Sequence, residues 1–283
     1  MTTGNEHLLE LLKASGDDEA SLDLNILSKE LKGEALEEAV KRRASGEPLA
    51  YILGYRHFYK ECYKVVPGVL IPRADTEILV ESALQFIGMN NMATGDILKV
   101  CSSGKELTEI RFADLCTGTG CIGISIANEI SRAGRKACAM LVDISDTALS
   151  VAASNVQTQA IKPEDISIIK HDVLGSVPDL GKLDLIVSNP PYITNKEMDE
   201  LDSTVKDHEP DIALRAGDDG LDFYGPILKI AMELLKEGGA LMAEHGCGQG
   251  DLVREIFSEG GLKNCLTVRD YGNNPRVTIG FKS

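Results

Sequence analysis

The chain has 283 residues, 43% hydrophobic and 26% charged, with 27 Gly and 10 Pro, a composition that supports a globular core and excludes fibrous or disordered classes. Its 29 Lys and Arg against 44 Asp and Glu give a net charge of −15 and a pI near 4.8, which disfavours a general nucleic-acid binder. No apolar run approaches the roughly 20 residues of a membrane-spanning helix.

Residues 1–20 carry acidic side chains and neither an export signal nor an Arg-rich transit pattern, so we expect a cytoplasmic protein. The seven Cys (62, 101, 116, 121, 138, 247 and 265) form no CxxC pair, and neither a disulfide framework nor a metal site is expected. In chain order, Leu8, Leu9, Leu11 and Leu12, then Leu24, Ile26, Leu27 and Leu31, then Leu36 and Val40 recur at three-to-four spacing and predict short helices. Each is too short to stand alone, so residues 1–50 should pack as a small helical unit. Residues 51–73 are rich in aromatic and β-branched side chains (Tyr55, Phe58, Tyr59, Tyr63, Val65, Val66), with Pro67-Gly68 as a turn signal, and predict a β-hairpin connector. A helix should begin near Asp75, and the polar stretch around Cys101-Ser-Ser-Gly reads as a loop.

From there to the end strands and helices alternate. Candidate strands end at Leu115, Asp143, Lys170, Ser188 and Glu244, with helices at Cys121 to Ser131 and Asp146 to Val156 between them. That alternation predicts an α/β fold with a doubly wound, mostly parallel sheet over residues 74–283. Two β-rich runs, Cys265 to Asp270 and Arg276 to Phe281, predict a terminal antiparallel hairpin.

Gly118, Gly120 and Gly123 stand in GxGxxG spacing between a strand and a helix, and Asp143 follows 20 residues after Gly123 at the next strand end. Such a loop lets a ligand approach the backbone at a helix N-terminus, and such an acid can take both ribose hydroxyls, so the pattern fits a dinucleotide or S-adenosylmethionine. Asp114, just ahead of the glycines, favours the second, because a loop that seats a pyrophosphate rarely carries a carboxylate there. His171-Asp172-Val173 follows a third strand, where Asp172 can read an adenine amino group or cap the strand end, and Val173 can cover the ring.

The strand pattern Leu183 to Ser188 runs into Asn189-Pro190-Pro191-Tyr192. Two prolines fix φ and hold this segment rigid. The Asn189 side-chain carbonyl and the Pro190 main-chain carbonyl can grip the two hydrogens of a planar NH₂ group, on which Tyr192 can stack. An amide nitrogen is a poor nucleophile, and two acceptors placed for a tetrahedral nitrogen favour its transition-state geometry. No strong general base is needed.

The order of these motifs resembles a class I S-adenosylmethionine-dependent amino-methyltransferase. The flanks Gly46-Glu-Pro-Leu-Ala-Tyr51, Leu70-Ile-Pro-Arg-Ala-Asp-Thr-Glu77, His208-Glu-Pro210, Glu244-His-Gly246 and Arg269-Asp-Tyr-Gly272 resemble the HemK/PrmC family, protein-(glutamine-N5) methyltransferases of peptide chain release factors. The resemblance spans about Gly46 to Phe281. It implies methylation of the glutamine amide in the release factor's Gly-Gly-Gln loop, by a helical N-terminal domain joined through a hairpin to a seven-stranded methyltransferase domain. By the same resemblance Cys116, Thr117, Gly118, Thr119 and Gly120 line the S-adenosylmethionine site, Asp143 holds the ribose, Val173 meets the adenine, and Asn189, Pro190, Pro191 and Tyr192 bind the amide; Asp172 is expected among the cofactor-binding residues by its own position. Asn189, Pro190 and Tyr192 then serve catalysis, Asn189 also standing near the cofactor's methyl. Arg73, Thr76 and Glu77 belong to a family motif near the pocket, or cap a helix; His208 and His245 have loop or packing roles. The first 45 residues leave room for fewer or shorter helices than the family's N-terminal domain carries.

The partners expected are release factors, with no direct nucleic-acid or membrane binding and a monomeric enzyme. Rival readings are a nucleic-acid amino-methyltransferase acting on adenine N6 or guanine N2, a nicotinamide-dependent dehydrogenase, and a non-catalytic scaffold. Between Lys41 and Arg73 seven basic residues face two acidic ones, a local +5; between Ile193 and Asp222 ten acidic face three basic, a local −7. Two patches of opposite sign beside one site suit a folded protein partner.

Overall fold

The structure is a computed structural model and describes residues 5–16, 18–89 and 108–283. The predicted loop around Cys101 lies outside the described residues. Four helices open the chain: α1 (Glu6–Ala14), α2 (Ala20–Glu30), α3 (Glu34–Ala44) and α4 (Leu49–Leu53). Leu8, Leu12, Leu24, Leu27, Leu36 and Val40 bury their side chains in one small core of their own. The helical spacing read from the sequence is therefore the spacing of this core.

Helix α4 ends at Gly54, whose φ of 80° supplies the left-handed cap. Strands β1 (Tyr55–Phe58) and β2 (Glu61–Lys64) then pair antiparallel, Phe58 opposite Glu61. Two expectations shift here. Tyr51 lies in α4, tied down by its hydroxyl donating to the Val69 carbonyl at 2.7 Å, and is no part of the hairpin. The hairpin turns at Tyr59-Lys60 rather than Pro67-Gly68: Tyr59 takes a φ of 56°, and its N–H donates to Glu77 Oε1 at 2.9 Å. A carboxylate far along the chain thus holds a turn that no local residue announces.

A 3₁₀ turn (Ala74–Thr76) leads into α5 (Glu77–Phe86). The sheet consists of β3 (Glu109–Leu115), β4 (Lys136–Asp143), β5 (Ile166–Lys170), β6 (Leu183–Ser188), β7 (Leu235–Glu244), β8 (Lys263–Arg269) and β9 (Pro275–Phe281), in the order β5-β4-β3-β6-β7-β9-β8. The first five are parallel, and β9 runs antiparallel to both β7 and β8. All five parallel strands end where the sequence pattern ends them.

The helices of this part are α6 (Cys121–Arg132), α7 (Asp146–Gln159), α8 (Asn195–Glu200), α9 (Ser203–Lys206), α10 (Tyr224–Leu234) and α11 (Gly250–Glu259). Alternate strand residues feed opposite faces: Phe112, Leu141 and Val187 join Leu79, Ile124 and Val156 in one core, while Ala113, Val142 and Ile186 join Tyr224, Ile227 and Phe257 in the other. The hairpin belongs to the first, through Phe58 and Tyr63. Among the described residues no helix is long and apolar enough to cross a membrane.

Strand order reverses between β3 and β6, where Leu115 and Ser188 are register partners. Ser188 Oγ donates to the Leu115 carbonyl at 2.8 Å and closes that junction. Open α/β sheets bind ligands at the carboxyl end of such a switch point. Here it brings the glycine loop after β3 beside Asn189 after β6.

Candidate active site

An open cleft with about 1070 Å³ of empty space lies at this end of the sheet. Cys116 to Thr119, Asp143, Asp172, Val173, Asn189 and Pro191 line it. Gly120 does not. A Cβ there meets Ile124 Cδ1 at 3.0 Å and Leu141 Cδ1 at 3.2 Å, so this glycine, at φ 81°, faces the protein interior and serves to start α6. Gly123 likewise permits close packing, since a Cβ there falls 2.2 Å from Leu141 Cδ2.

The loop is held from below and from the side. Asp114 is fully buried, and its Oδ2 accepts from Thr117 Oγ1 at 2.6 Å and Gly123 N at 3.0 Å. It supports the loop and does not line the cleft. Asp143 Oδ2 accepts from Gly118 N at 2.9 Å and Oδ1 from Ser145 N at 2.9 Å. Cys116 adopts φ 59°, an uncommon conformation for an L residue, and burial pushes its thiol well above the ordinary value, so it stays a neutral thiol.

Asp172 uses Oδ1 to accept from Leu174 N at 2.9 Å, so the capping role is in place while the residue still lines the cleft. At Asn189 the side-chain Nδ2 donates to Thr76 Oγ1 at 3.2 Å. Its Oδ1, and the main-chain oxygen of Pro190, accept no bond among the described residues. Pro190 and Tyr192 stand outside the lining. Tyr192 is half-buried, and its carbonyl accepts from Gln249 Nε2 at 2.9 Å.

The other wall comes from segments that no glycine pattern marks. Val69, Leu70 and Arg73 precede α5, Pro210, Ile212 and Ala213 follow α9, and Phe223 precedes α10. Glu209 joins the first two: its buried carboxylate pairs with Arg73 and accepts from Ile71 N at 3.1 Å. Asn155 ties the hairpin to the glycine loop, bonding Lys64 N and O and donating to Thr119 O at 2.9 Å. No local pattern gives Glu209, Asn155 or Gln249 its role, because each acts on backbone distant in sequence. Glu77 belongs to the hairpin turn. His245 is fully buried; Nδ1 bonds the Gly246 carbonyl and Nε2 the Thr278 hydroxyl, which makes it a packing residue, while His208 sits against the Gly46 turn.

The local positive charge is not a free cationic surface. Arg42 pairs with Glu47, Arg43 with the buried Asp23, Lys60 with Glu129 and Arg73 with Glu209. Four of the seven basic residues of this window are thus paired within the fold, and the local count of +5 overstates its free cationic surface.

Two sequence families match the chain: the Methyltransferase small domain over residues 99–206 and the PrmC N-terminal domain over residues 27–54. A release factor glutamine methyltransferase of Haemophilus influenzae is 38% identical over 244 residues, covering 85% of this chain and 77% of that protein. The chain belongs to the release factor glutamine methyltransferase family. Members from Clostridium acetobutylicum and Fusobacterium nucleatum are 36% and 37% identical over 86% and 91% of the chain, which spans 78% and 66% of their lengths. The fold is also that of a T. thermophilus 16S rRNA N2 G1207 methyltransferase solved with AdoMet and guanosine, at 14% identity and a TM-score of 0.51, covering 81% of this chain and 50% of the other.

Like the rest of its family, this enzyme depends on S-adenosylmethionine, and the donor set fits that group. An acidic strand end suits a ribose diol, an apolar Val173 beside Asp172 suits an adenine, and left-handed Gly118 keeps the wall clear of a Cβ.

Burial pushes Asp114 up to about 7, against the opposing pull of its bonds from Thr117 and Gly123. An acid whose pKa is raised on folding stabilises the fold fully below its unfolded value, near 4, and that contribution is lost as pH rises through about 7. We therefore expect Asp114→Asn to remove a slope of up to about 1.4 kcal/mol per pH unit from the unfolding free energy between about pH 5 and 7. Urea unfolding of both proteins across that window measures it. Taking the difference cancels His245, which burial shifts down and which acts in the opposite sense.

Proposed function

We propose that this enzyme methylates the side-chain amide nitrogen (N5) of the glutamine in the Gly-Gly-Gln motif of peptide chain release factors. The observation that carries the reading is the carboxamide of Asn189, whose Nδ2 is engaged by Thr76 while Oδ1 is left to accept. With the carbonyl of the adjacent Pro190, which accepts no main-chain bond among the described residues, it offers two acceptors to the two hydrogens of an NH₂ group. The two prolines hold that pair still, so the amide nitrogen is oriented without reorganisation.

When bound, S-adenosylmethionine supplies an electrophilic methyl on a sulfonium. The chain's own part is to seat it, with Asp143 on the ribose, Asp172 and Val173 at the adenine, and Cys116 to Thr119 along the loop. Acceptors placed for a tetrahedral nitrogen draw the amide toward the geometry of attack, and the N-methylated cation is acidic enough to lose its proton to water or a nearby carbonyl. Tyr192 adds its aromatic ring beside Asn189-Pro-Pro. Residues 5–54 carry the helical unit, 55–73 the hairpin connector and 74–283 the methyltransferase domain.

Incubation with S-adenosylmethionine and a release factor should add one methyl to the Gly-Gly-Gln peptide, read by mass spectrometry. Labelled methyl transferred to RNA or DNA, with none on the release factor, would instead establish the nucleic-acid amino-methyltransferase reading.

A further inference from the structure

The Asn189-Pro-Pro-Tyr192 segment has to hold its acceptors still, yet its two prolines have no N–H with which to anchor the main chain. Ahead of it, Ser188 Oγ fastens the chain to the Leu115 carbonyl at 2.8 Å. Behind it, the fastening comes from a side chain 57 residues further on. Gln249 stands just ahead of α11, in the loop that follows β7. Its Nε2 donates to the Tyr192 carbonyl at 2.9 Å and the Gly220 carbonyl at 3.3 Å, with the Asp219 carbonyl at 3.5 Å beside them. Its Oε1 accepts from Gly246 N at 2.8 Å.

These partners leave the carboxamide one orientation. Main-chain carbonyls only accept and the Gly246 N–H only donates, so the NH₂ faces Tyr192 and the oxygen faces Gly246. The spacing leaves no slack: Gly220 has a φ of 74°, and a Cβ there falls 2.3 Å from Gln249 Nε2 and 2.4 Å from the Tyr192 oxygen. Three loops therefore meet at one side chain, those after β6 and β7 and the one ahead of α10, whose Phe223 lines the cleft. We propose that Gln249 is the positioning residue that fixes the Tyr192 end of the segment and so holds the Asn189 and Pro190 oxygens in register with the substrate amide. Gln249 does not line the cleft, so it acts through that segment and not on the cofactor. The inference rests on the reading of Asn189 and Pro190 as the amide acceptors.

Gln249→Met keeps the side-chain length and removes both polar ends, while Gln249→Glu keeps an oxygen for Gly246 N and removes the NH₂. With a release factor as substrate, both should lower kcat about tenfold, with KM and the Kd for S-adenosylhomocysteine within about twofold of wild type, because misplaced acceptors act on the transition state more than on binding. In an Asn189→Ala background, where one of the two oxygens is already gone, Gln249→Met should cost at most about threefold more, since both changes act on one device. The isosteric Glu variant carries the test if the Met variant fails to fold. A wild-type kcat in Gln249→Glu, beside a slow Asn189→Ala, overturns the clamp alone. A further loss of about tenfold in the Asn189→Ala background, or a Kd weakened in step with kcat, also overturns it by showing a general packing role. An Asn189→Ala enzyme at full kcat overturns the amide grip and the clamp with it.

Discussion

Asn189→Ala is expected to lower kcat for methyl transfer by about 10²-fold or more, while the Kd for S-adenosylmethionine changes little. The lost Oδ1 is one of two acceptors that define where the amide nitrogen stands. The remaining one, the Pro190 carbonyl, cannot fix both hydrogens of an NH₂ group. Ground-state binding of a release factor draws on a wider surface, so KM should move less than kcat. Asn189→Asp separates geometry from charge. It keeps one acceptor oxygen and the side-chain shape, but replaces the NH₂ by a second oxygen and sets a second carboxylate on the strand end next to that of the buried Glu244, which burial already pushes up to about 7. Its kcat should therefore improve as pH falls and one proton enters the pair. Single-turnover transfer of labelled methyl to a release factor, followed across pH for both variants, checks this.

How much of this site could be read in advance follows from how local each determinant is. The five parallel strand ends were legible because four close an apolar run on a polar residue and the fifth, at Leu115, runs into the glycine loop, and that loop because Gly118 and Gly120 need left-handed backbone. Asn189-Pro-Pro-Tyr192 was legible because two prolines leave the chain few conformations. What was hidden depends on long-range pairing. Tyr59 turns the hairpin because Glu77 takes its N–H, Glu209 bridges Arg73 and Ile71, and Asn155 carries the hairpin onto the loop. None of these carboxylates and amides differs in composition from a surface residue; only the fold places them. Charge was overstated for the same reason, since a sequence window counts Arg43 and Lys60 but not Asp23 and Glu129, the partners the fold sets against them. Gly120 shows the converse: a loop pattern names the glycines together, whereas the fold gives one to the cleft and another to the packing of α6.

Asp143→Ala is expected to weaken S-adenosylmethionine binding by about 10²-fold, the second largest effect foreseen. Two losses combine in one side chain. Its carboxylate is the ribose acceptor in our reading, and a hydrogen bond to a charged acceptor contributes about 1.5–3 kcal/mol. It also holds the loop itself, since Oδ2 accepts from Gly118 N and Oδ1 from Ser145 N. Without it Gly118 keeps its freedom but loses the bond that selects φ 54°, so the wall no longer stands ready before the cofactor arrives. Asp143→Asn sorts the two contributions. Its single oxygen can serve the loop or the ribose but not both as a carboxylate does, so its Kd should fall between wild type and alanine. The sheet beneath is held by apolar side chains from neighbouring strands, and both variants should melt within a few degrees of wild type. Titration calorimetry with S-adenosylhomocysteine, paired with thermal melts in the absence of ligand, reads both quantities. An Asp143→Ala protein that bound as tightly as wild type would remove the ribose role.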